Sequence, residues 1–207
     1  VVVRALAFDV FGTLLDWRTT IAEAFRGSGL EGDPEELAVG WRERIWPLLG
    51  QVNEGTRPWG NFDELNLAAL DDLLSDQGLD LPQQAKERLL AAWHRLEPWP
   101  DVRAGLEELR RQRATAALSN GHLALLVDLT RHADMRFDCL VSAELAQAYK
   151  PAPEVYLTAA RLLGVQPDEL MLVACHPLDL KAARRSGLRT ALVDRPLEYG
   201  PGSPTRE

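Results

Sequence analysis

Asp9 ends an apolar run and is followed at once by Val10-Phe11-Gly12-Thr13-Leu14, a tight turn built round a glycine. Residues 1–8 are apolar except for Arg4, a length too short for a bilayer and suited to a buried parallel strand. A carboxylate at the carboxyl end of such a strand stands where open α/β sheets bind their ligands. It can displace a leaving group from an sp³ carbon and give an ester that water then cleaves, so Asp9 reads as a nucleophile. The same residue could cap a helix, but a Phe-Gly-Thr turn adds nothing to a cap. Thr13 is within reach of that carboxylate or of the turn backbone. Three later segments also place polar residues just after apolar runs: Ser119-Asn120-Gly121, Lys150-Pro151, and Cys175-His176-Pro177-Leu178-Asp179. Pro151 imposes an extended approach on Lys150 and favours a new helix beyond it. A fixed cation there would keep Asp9 ionised.

The elements that must carry these residues fall into two patterns. After the Gly12 turn, Thr19 to Gly27 suits a short helix. Asp33-Pro34-Glu35-Glu36 is a helix start with an N-cap, Pro at the first position and acids in the first turn, predicting a helix to about Leu49. A loop with Asn53, Gly55, Pro58 and Gly60 follows, then helical spacing of apolar residues from Phe62 to Leu74, then a helix from Leu81-Pro82 to about Leu96. Residues 17–97 therefore read as all-helical. From Pro98 the pattern alternates: helix 101–112, strand 114–118, helix 121–132, strand 138–142, helix 152–163, strand 170–174, helix 178–186, strand 189–193. That is an α/β chain with a parallel sheet covered on both faces, interrupted after its first strand by a helical insertion. The insertion should hang over the strand ends as a cap and leave a cleft between. The stretch Gly200 to Pro204 reads as irregular.

At 207 residues and 46% hydrophobic content the chain can bury a sizeable core. Its net charge of −8 argues against nucleic acid or an anionic membrane as a partner, so an anionic ligand must meet local cations. No run reaches bilayer length and the opening stretch has no small-residue cleavage site, which predicts a cytoplasmic protein. Cys139 and Cys175 form no Cys-x-x-Cys pair and no zinc spacing, and read as two buried thiols in or beside strands. His94, His122 and His132 carry no comparable signal.

Taken together, Phe-Asp-x-Phe-Gly-Thr-Leu, Trp41-Arg42, Leu118-Ser119-Asn120-Gly121, Tyr149-Lys150-Pro151-x-x-x-Val155-Tyr156 and the closing Asp179 resemble the haloacid dehalogenase superfamily, nearest to its type II (S)-2-haloacid dehalogenases. The resemblance spans nearly the whole chain. It implies a Rossmann-like core of residues 1–16 and 98–207 with a helical cap of residues 17–97. It also implies hydrolytic dehalogenation of short (S)-2-haloalkanoic acids, with inversion at carbon, no cofactor, and a homodimer. Asp9 would attack, Lys150 would hold it ionised, and Asp179 would orient Lys150 and polarise the hydrolytic water. Arg42 would accept the departing halide, and Ser119 with backbone N–H groups would bind the substrate carboxylate. Val10, Phe11, Trp41, Asn120 and Tyr156 would line the cleft.

The chain also departs from that pattern. Ala174 and His176 stand where the best-known members carry Ser and Asn. His176 could replace the Asn as a partner of water or of Asp9 and bring pH dependence near neutrality. Phosphatases of similar layout need an Asp at Phe11 as proton donor and another at Cys175 to hold Mg²⁺, a hard cation that prefers oxygen. Both are missing, and halide, a weak base, needs neither. A Mg²⁺-dependent small-molecule phosphatase and a non-catalytic binding module are the alternatives. The resemblance further implies sheet sequence after the position of Pro204, so a final edge is expected to be missing or trimmed.

Overall fold

The computed structural model describes residues 2–202. Strand β1 (Ala5–Phe8) leads through the Gly12 turn to a two-residue strand, β2 (Leu15–Asp16), and then to four helices. These are α1 (Trp17–Arg26), α2 (Pro34–Asn53), α3 (Phe62–Asp76) and α4 (Gln83–Ala92). A 3-10 turn at Trp93–Arg95 and the short strand β3 (Glu97–Pro98) close the insertion. Helices and strands then alternate: α5 (Val102–Arg110), β4 (Ala114–Ser119), α6 (Leu123–His132), β5 (Cys139–Ser142), α7 (Pro153–Leu162), β6 (Leu170–Ala174), α8 (Pro177–Arg185) and β7 (Arg189–Leu192).

The sheet order is β5-β4-β1-β6-β7, with every pairing parallel. Phe8 stands in register with Ala117 on one side and Val173 on the other. The chain builds outward from β1 through β4 and β5, then crosses back to β6, so the strand order reverses at β1. That reversal opens a crevice beyond the carboxyl ends of β1, β4 and β6. All four residues of β1 are buried, as a central strand covered on both faces requires.

The insertion is anchored at its root and across its underside. β2 pairs antiparallel with β3, Leu15 opposite Pro98 and Asp16 opposite Glu97. This corrects the all-helical expectation for residues 17–97 at Glu97: the outgoing and returning chains meet, and satisfy each other's backbone groups as a ribbon. Asp33 caps α2 by accepting from Glu35 N at 2.8 Å, and Asn61 and Glu64 form a reciprocal capping box on α3. α2 runs four residues past the predicted end and carries Pro47 inside it. Its buried stripe Leu37, Trp41, Ile45 and Leu49 continues across the proline, and this packing outweighs the lost hydrogen bond. The extra turn matters, because Asn53 then exchanges two hydrogen bonds with the Tyr149 backbone, beside Lys150. α4 ends at Ala92 rather than Leu96, and its last turn tightens to place Trp93 in an aromatic cluster with Phe11, Trp17, Trp41 and Phe62. Trp17, Trp41 and Trp93 are fully buried there, and truncating any of them to Ala would cost about 3–5 kcal/mol.

Smaller differences concern ends. β1 begins at Ala5, with Arg4 N already bonded to Glu169 O, and Val1 lies outside the described residues. Cys175 is buried, but Cys139 is only half-buried. Gly200 to Gly202 are irregular, while Ser203 and Pro204 lie outside the described residues. Among the described residues no helix is long and apolar enough to cross a membrane.

Candidate active site

Asp9 follows β1 directly and is 7% exposed, at the wall of a cavity of about 400 Å³ between the strand ends and the helical segment. Lys150 Nζ, delivered by the loop between β5 and α7, donates to Asp9 Oδ1 at 3.0 Å and to Asp179 Oδ2 at 2.8 Å. Asp179 lies in the first turn of α8 and accepts from the Tyr156 hydroxyl at 2.5 Å on its other oxygen. Asn120, just past β4, accepts from Lys150 N at 2.7 Å and fixes the height of that loop. The Thr13 hydroxyl donates to Asp9 Oδ2 at 2.6 Å, much shorter than its 3.4 Å approach to Cys175 Sγ, and accepts from Cys175 N at 3.0 Å. The Gly12 turn makes this geometry possible, with Gly12 at φ +80°.

His176 lies between two acids. Nδ1 is 3.1 Å from Asp9 Oδ2 and Nε2 is 2.9 Å from Glu198 Oε1. Glu198 belongs to the segment after β7 and also accepts from Trp17 Nε1 at 3.0 Å. Burial by itself would raise the Asp9 carboxyl. The Lys150 charge, the hydrogen bond and charge of His176 and the Thr13 hydroxyl outweigh it, holding Asp9 well below the ordinary carboxylate range. Burial works against a charged His176, yet its bonds to Asp9, Cys175 and Glu198 lift it well above the usual imidazole value. Burial likewise opposes a charged Lys150, and the two aspartates raise it. The resting cleft therefore holds an ionised Asp9 facing an ammonium and an imidazolium.

The opposite wall comes from α2. Arg42 is 3% exposed and its guanidinium lies over four rings, 5.6 Å from Phe11, 5.3 Å from Trp17, 5.0 Å from Trp46 and 6.0 Å from Trp93. Its Nε has no hydrogen-bond partner. A buried guanidinium packed against ring faces, with a donor left unpartnered, suits an anion. Phe11 stacks on Phe62 at 5.0 Å and completes the apolar floor.

The structure thus brings Asp9, Thr13, Lys150, His176 and Asp179 together, with Phe11, Arg42, Asn120 and Tyr156 around the same cavity. Three residues expected at the cleft stand elsewhere. Ser119 Oγ is fully buried and accepts from Gly121 N at 3.0 Å, so it shapes the turn. Trp41 faces the core and donates to Asn66 O at 2.8 Å. Val10 is 1% exposed beneath the turn. Trp46, four residues after Arg42, stands at the cavity instead of Trp41. Sequence reasoning missed both Trp46 and Glu198; the helical spacing from Arg42 could have found the first.

For a divalent ion of the phosphatase kind the donor set is wrong. Cys175 Sγ takes the place of the needed oxygen, and burial pushes its thiol up, away from the thiolate that could ligate. Glu198 brings a carboxylate close, but His176 and Trp17 occupy its Oε1 and the Cys175 thiol lies 3.5 Å from its Oε2. Outside the cleft, His94 bridges Asp63 at 2.9 Å and Asp128 at 2.8 Å with His122 alongside, tying α3, the 3-10 turn and α6 together.

A family model described as haloacid dehalogenase-like hydrolase matches residues 3–187. The chain is 34% identical over 209 residues to (S)-2-haloacid dehalogenase 1 of Pseudomonas sp. (strain CBS-3), covering 95% of this chain and 88% of that protein. Among solved structures, L-2-haloacid dehalogenase PA0810 superposes with a TM-score of 0.92 at 47% identity, covering 97% of this chain and 88% of that one. The L-2-haloacid dehalogenase of Xanthobacter autotrophicus, solved with chloropropionic acid covalently bound, gives 0.84 at 27% identity over 92% and 77%.

Proposed function

Because the chain belongs to the haloacid dehalogenase-like hydrolases, we propose that it hydrolyses short (S)-2-haloalkanoic acids to 2-hydroxyacids through an ester on Asp9. In this reading residues 17–97 act as the cap and residues 1–16 with 98–207 as the core. The observation that carries it is a carboxylate held ionised by Lys150 at the wall of a largely apolar cavity, opposite a buried guanidinium whose Nε–H has no partner. Such a nucleophile suits attack at carbon, where a poorly basic leaving group needs a counter-charge and no proton.

Asp9 Oδ1 forms a bond to C2 as the C–X electron pair leaves with the halide, which Arg42 receives among its rings. The substrate carboxylate is met by Lys150 and Asn120, because Ser119 is fully buried and does not line the cavity. Water then attacks Asp9 Cγ, giving its proton to Asp179, which returns it to the departing alkoxide. Inversion occurs in the first step alone, since the second breaks an acyl bond. The released products are a 2-hydroxyacid of inverted configuration and a halide ion; a homodimer is proposed with them on the family resemblance, and a cytoplasmic location on the sequence pattern. A single turnover in ¹⁸O water is the test. Label should enter Asp9 and be absent from the first-turnover hydroxyacid, whereas labelled product with unlabelled Asp9 would refute an ester intermediate.

A further inference from the structure

Glu198 takes no part in these steps, yet it is 6% exposed and points at the reacting group through His176. The two oxygens of Asp9 are not equivalent. Oδ1 meets Lys150 Nζ, while Oδ2 is held by the Thr13 hydroxyl at 2.6 Å and by His176 Nδ1 at 3.1 Å. Once Oδ1 carries the alkyl group, Oδ2 is the ester carbonyl oxygen, where charge gathers when water attacks. Two donors already aimed at that atom have the arrangement of an oxyanion site.

We propose that Thr13 and His176 stabilise the oxyanion during hydrolysis of the Asp9 ester, and that Glu198 is the positioning residue that keeps the imidazole doubly protonated for this step. The inference rests on the dehalogenase reading and extends it to the second half of the reaction. Its physical core is a charge that disappears. In the resting cleft two carboxylates, Asp9 and Glu198, face the ring. Esterification neutralises Asp9, and an imidazolium left with Lys150 beyond the ester and no anion would lose a proton. The neutral ring is a weaker donor to the carbonyl oxygen, and carries no charge to set against the one that gathers there. Glu198, paired to Nε2–H and itself attracted by Arg42, prevents this.

As water bonds to Cγ, the carbonyl π pair moves onto Oδ2, where the Thr13 O–H and His176 Nδ1–H hold it. The pair returns as the Cγ–Oδ1 bond breaks, the alkoxide takes the water-derived proton from Asp179, and the new Asp9 carboxyl releases its proton to solvent. The titratable and charged groups facing the ring are Asp9 after β1, Cys175 in its own loop, and Glu198 and Tyr199 after β7. Lys150 acts on it from behind Asp9, and Arg42 from behind Glu198.

The test is rapid-quench turnover of (S)-2-chloropropionate by Glu198→Gln. Halide should appear in a burst of one equivalent per site at the wild-type rate, because the resting Asp9 charge still protonates His176. Steady turnover should then run about 10²–10³-fold slower, with the ester mass on Asp9. Lowering the pH from about 8 to about 6 should recover the slow phase in the variant, as the unaided imidazole takes its proton back. A purely structural role would not give that recovery. Turnover within threefold of wild type, or a burst slowed as much as turnover, overturns the inference. The full burst also certifies a folded site; should Glu198→Gln misfold, Glu198→Asp, which keeps the charge but shortens its reach to Nε2, is read by the slow phase, which should fall and recover on acidification, and an unchanged slow phase overturns the inference. Wild-type protein that releases no halide refutes the dehalogenase reading itself, whereas a wild-type burst with an unaffected variant refutes only the role of Glu198.

Discussion

Replacing Lys150 by Met keeps the alkyl stem and removes one charge from between two buried carboxylates. Nζ is 3.0 Å from Asp9 and 2.8 Å from Asp179, and all three side chains are no more than 10% exposed. At an effective dielectric near 20, each contact is worth about 5–6 kcal/mol of Coulomb energy. Against the pair stands the cost of stripping water from the ammonium, several kcal/mol, and the carboxylates left behind retain Thr13, Tyr156 and His176 as donors. The expected net loss is about 3–5 kcal/mol at neutral pH, the range for a broken buried ion pair. Its pH dependence has a definite sign. In the wild type the Asp9 value is depressed, so its stabilisation is present above the unfolded value near 4 and is lost as pH falls through the folded value. In the variant Asp9 loses the charge that depresses it most, so less of its stability is lost on acidification. The gap between the proteins must therefore shrink on acidification. Urea unfolding followed by fluorescence of the six tryptophans, at pH about 7.5 and about 3, measures the gap on both sides of the unfolded value. A difference below about 1 kcal/mol at neutral pH, or one that widens in acid, would refute the account of Lys150 as the cation that holds this pair.

Two further substitutions separate the walls of the cleft. Gly12→Ala would put a Cβ at φ +80°, 2.0 Å from Glu198 Oε1, so the turn must strain and Glu198 must move. It should lower unfolding stability by about 1–3 kcal/mol and slow ester hydrolysis, while Gly55→Ala, at φ +72° with no heavy atom within 4 Å, should cost stability alone. Trp46→Ala removes the ring nearest Arg42 from a side chain that is already 43% exposed. The KM for (S)-2-chloropropionate should rise about two- to fivefold, from a contact of about 0.5–1 kcal/mol, with the urea midpoint little changed; an unchanged KM would remove Trp46 from the anion site.

The strand-end residues could be read from the sequence because one physical rule places them. In an alternating chain the segment after each apolar run must emerge on the same edge of the sheet, so Asp9, Asn120 and His176 converge whatever the details of packing. Lys150 and Asp179 were reachable through the motifs that carry the resemblance. What the sequence left open depends on rotation and on chain crossings. Trp41 and Arg42 are neighbours in sequence, and at 3.6 residues per turn successive side chains point about 100° apart, so both cannot face one cavity. Trp46 lies on the Arg42 face, and the wall uses it.

Glu198 is the harder case, and the reason bears on how this site works. Nothing in Pro196-Leu197-Glu198-Tyr199-Gly200 sets it apart from a surface acid, and 189 positions separate it from Asp9. Its role is created by the chain folding back after β7: Arg195 bonds Thr13 O at 2.8 Å and pairs with Asp101, and Glu198 then enters the space that Gly12 leaves without a Cβ. The residue that could have announced it is thus the glycine beside the nucleophile. Apart from the exposed Glu43, the carboxylates of the cleft, Asp9, Asp179 and Glu198, are set against Lys150, Arg42 and His176, so the buried group balances only when the imidazole is charged. With a neutral amide at position 176, Glu198 would be an uncompensated buried charge. Histidine and glutamate therefore depend on each other here, and each substitution alone should disturb the site more than the pair replaced together.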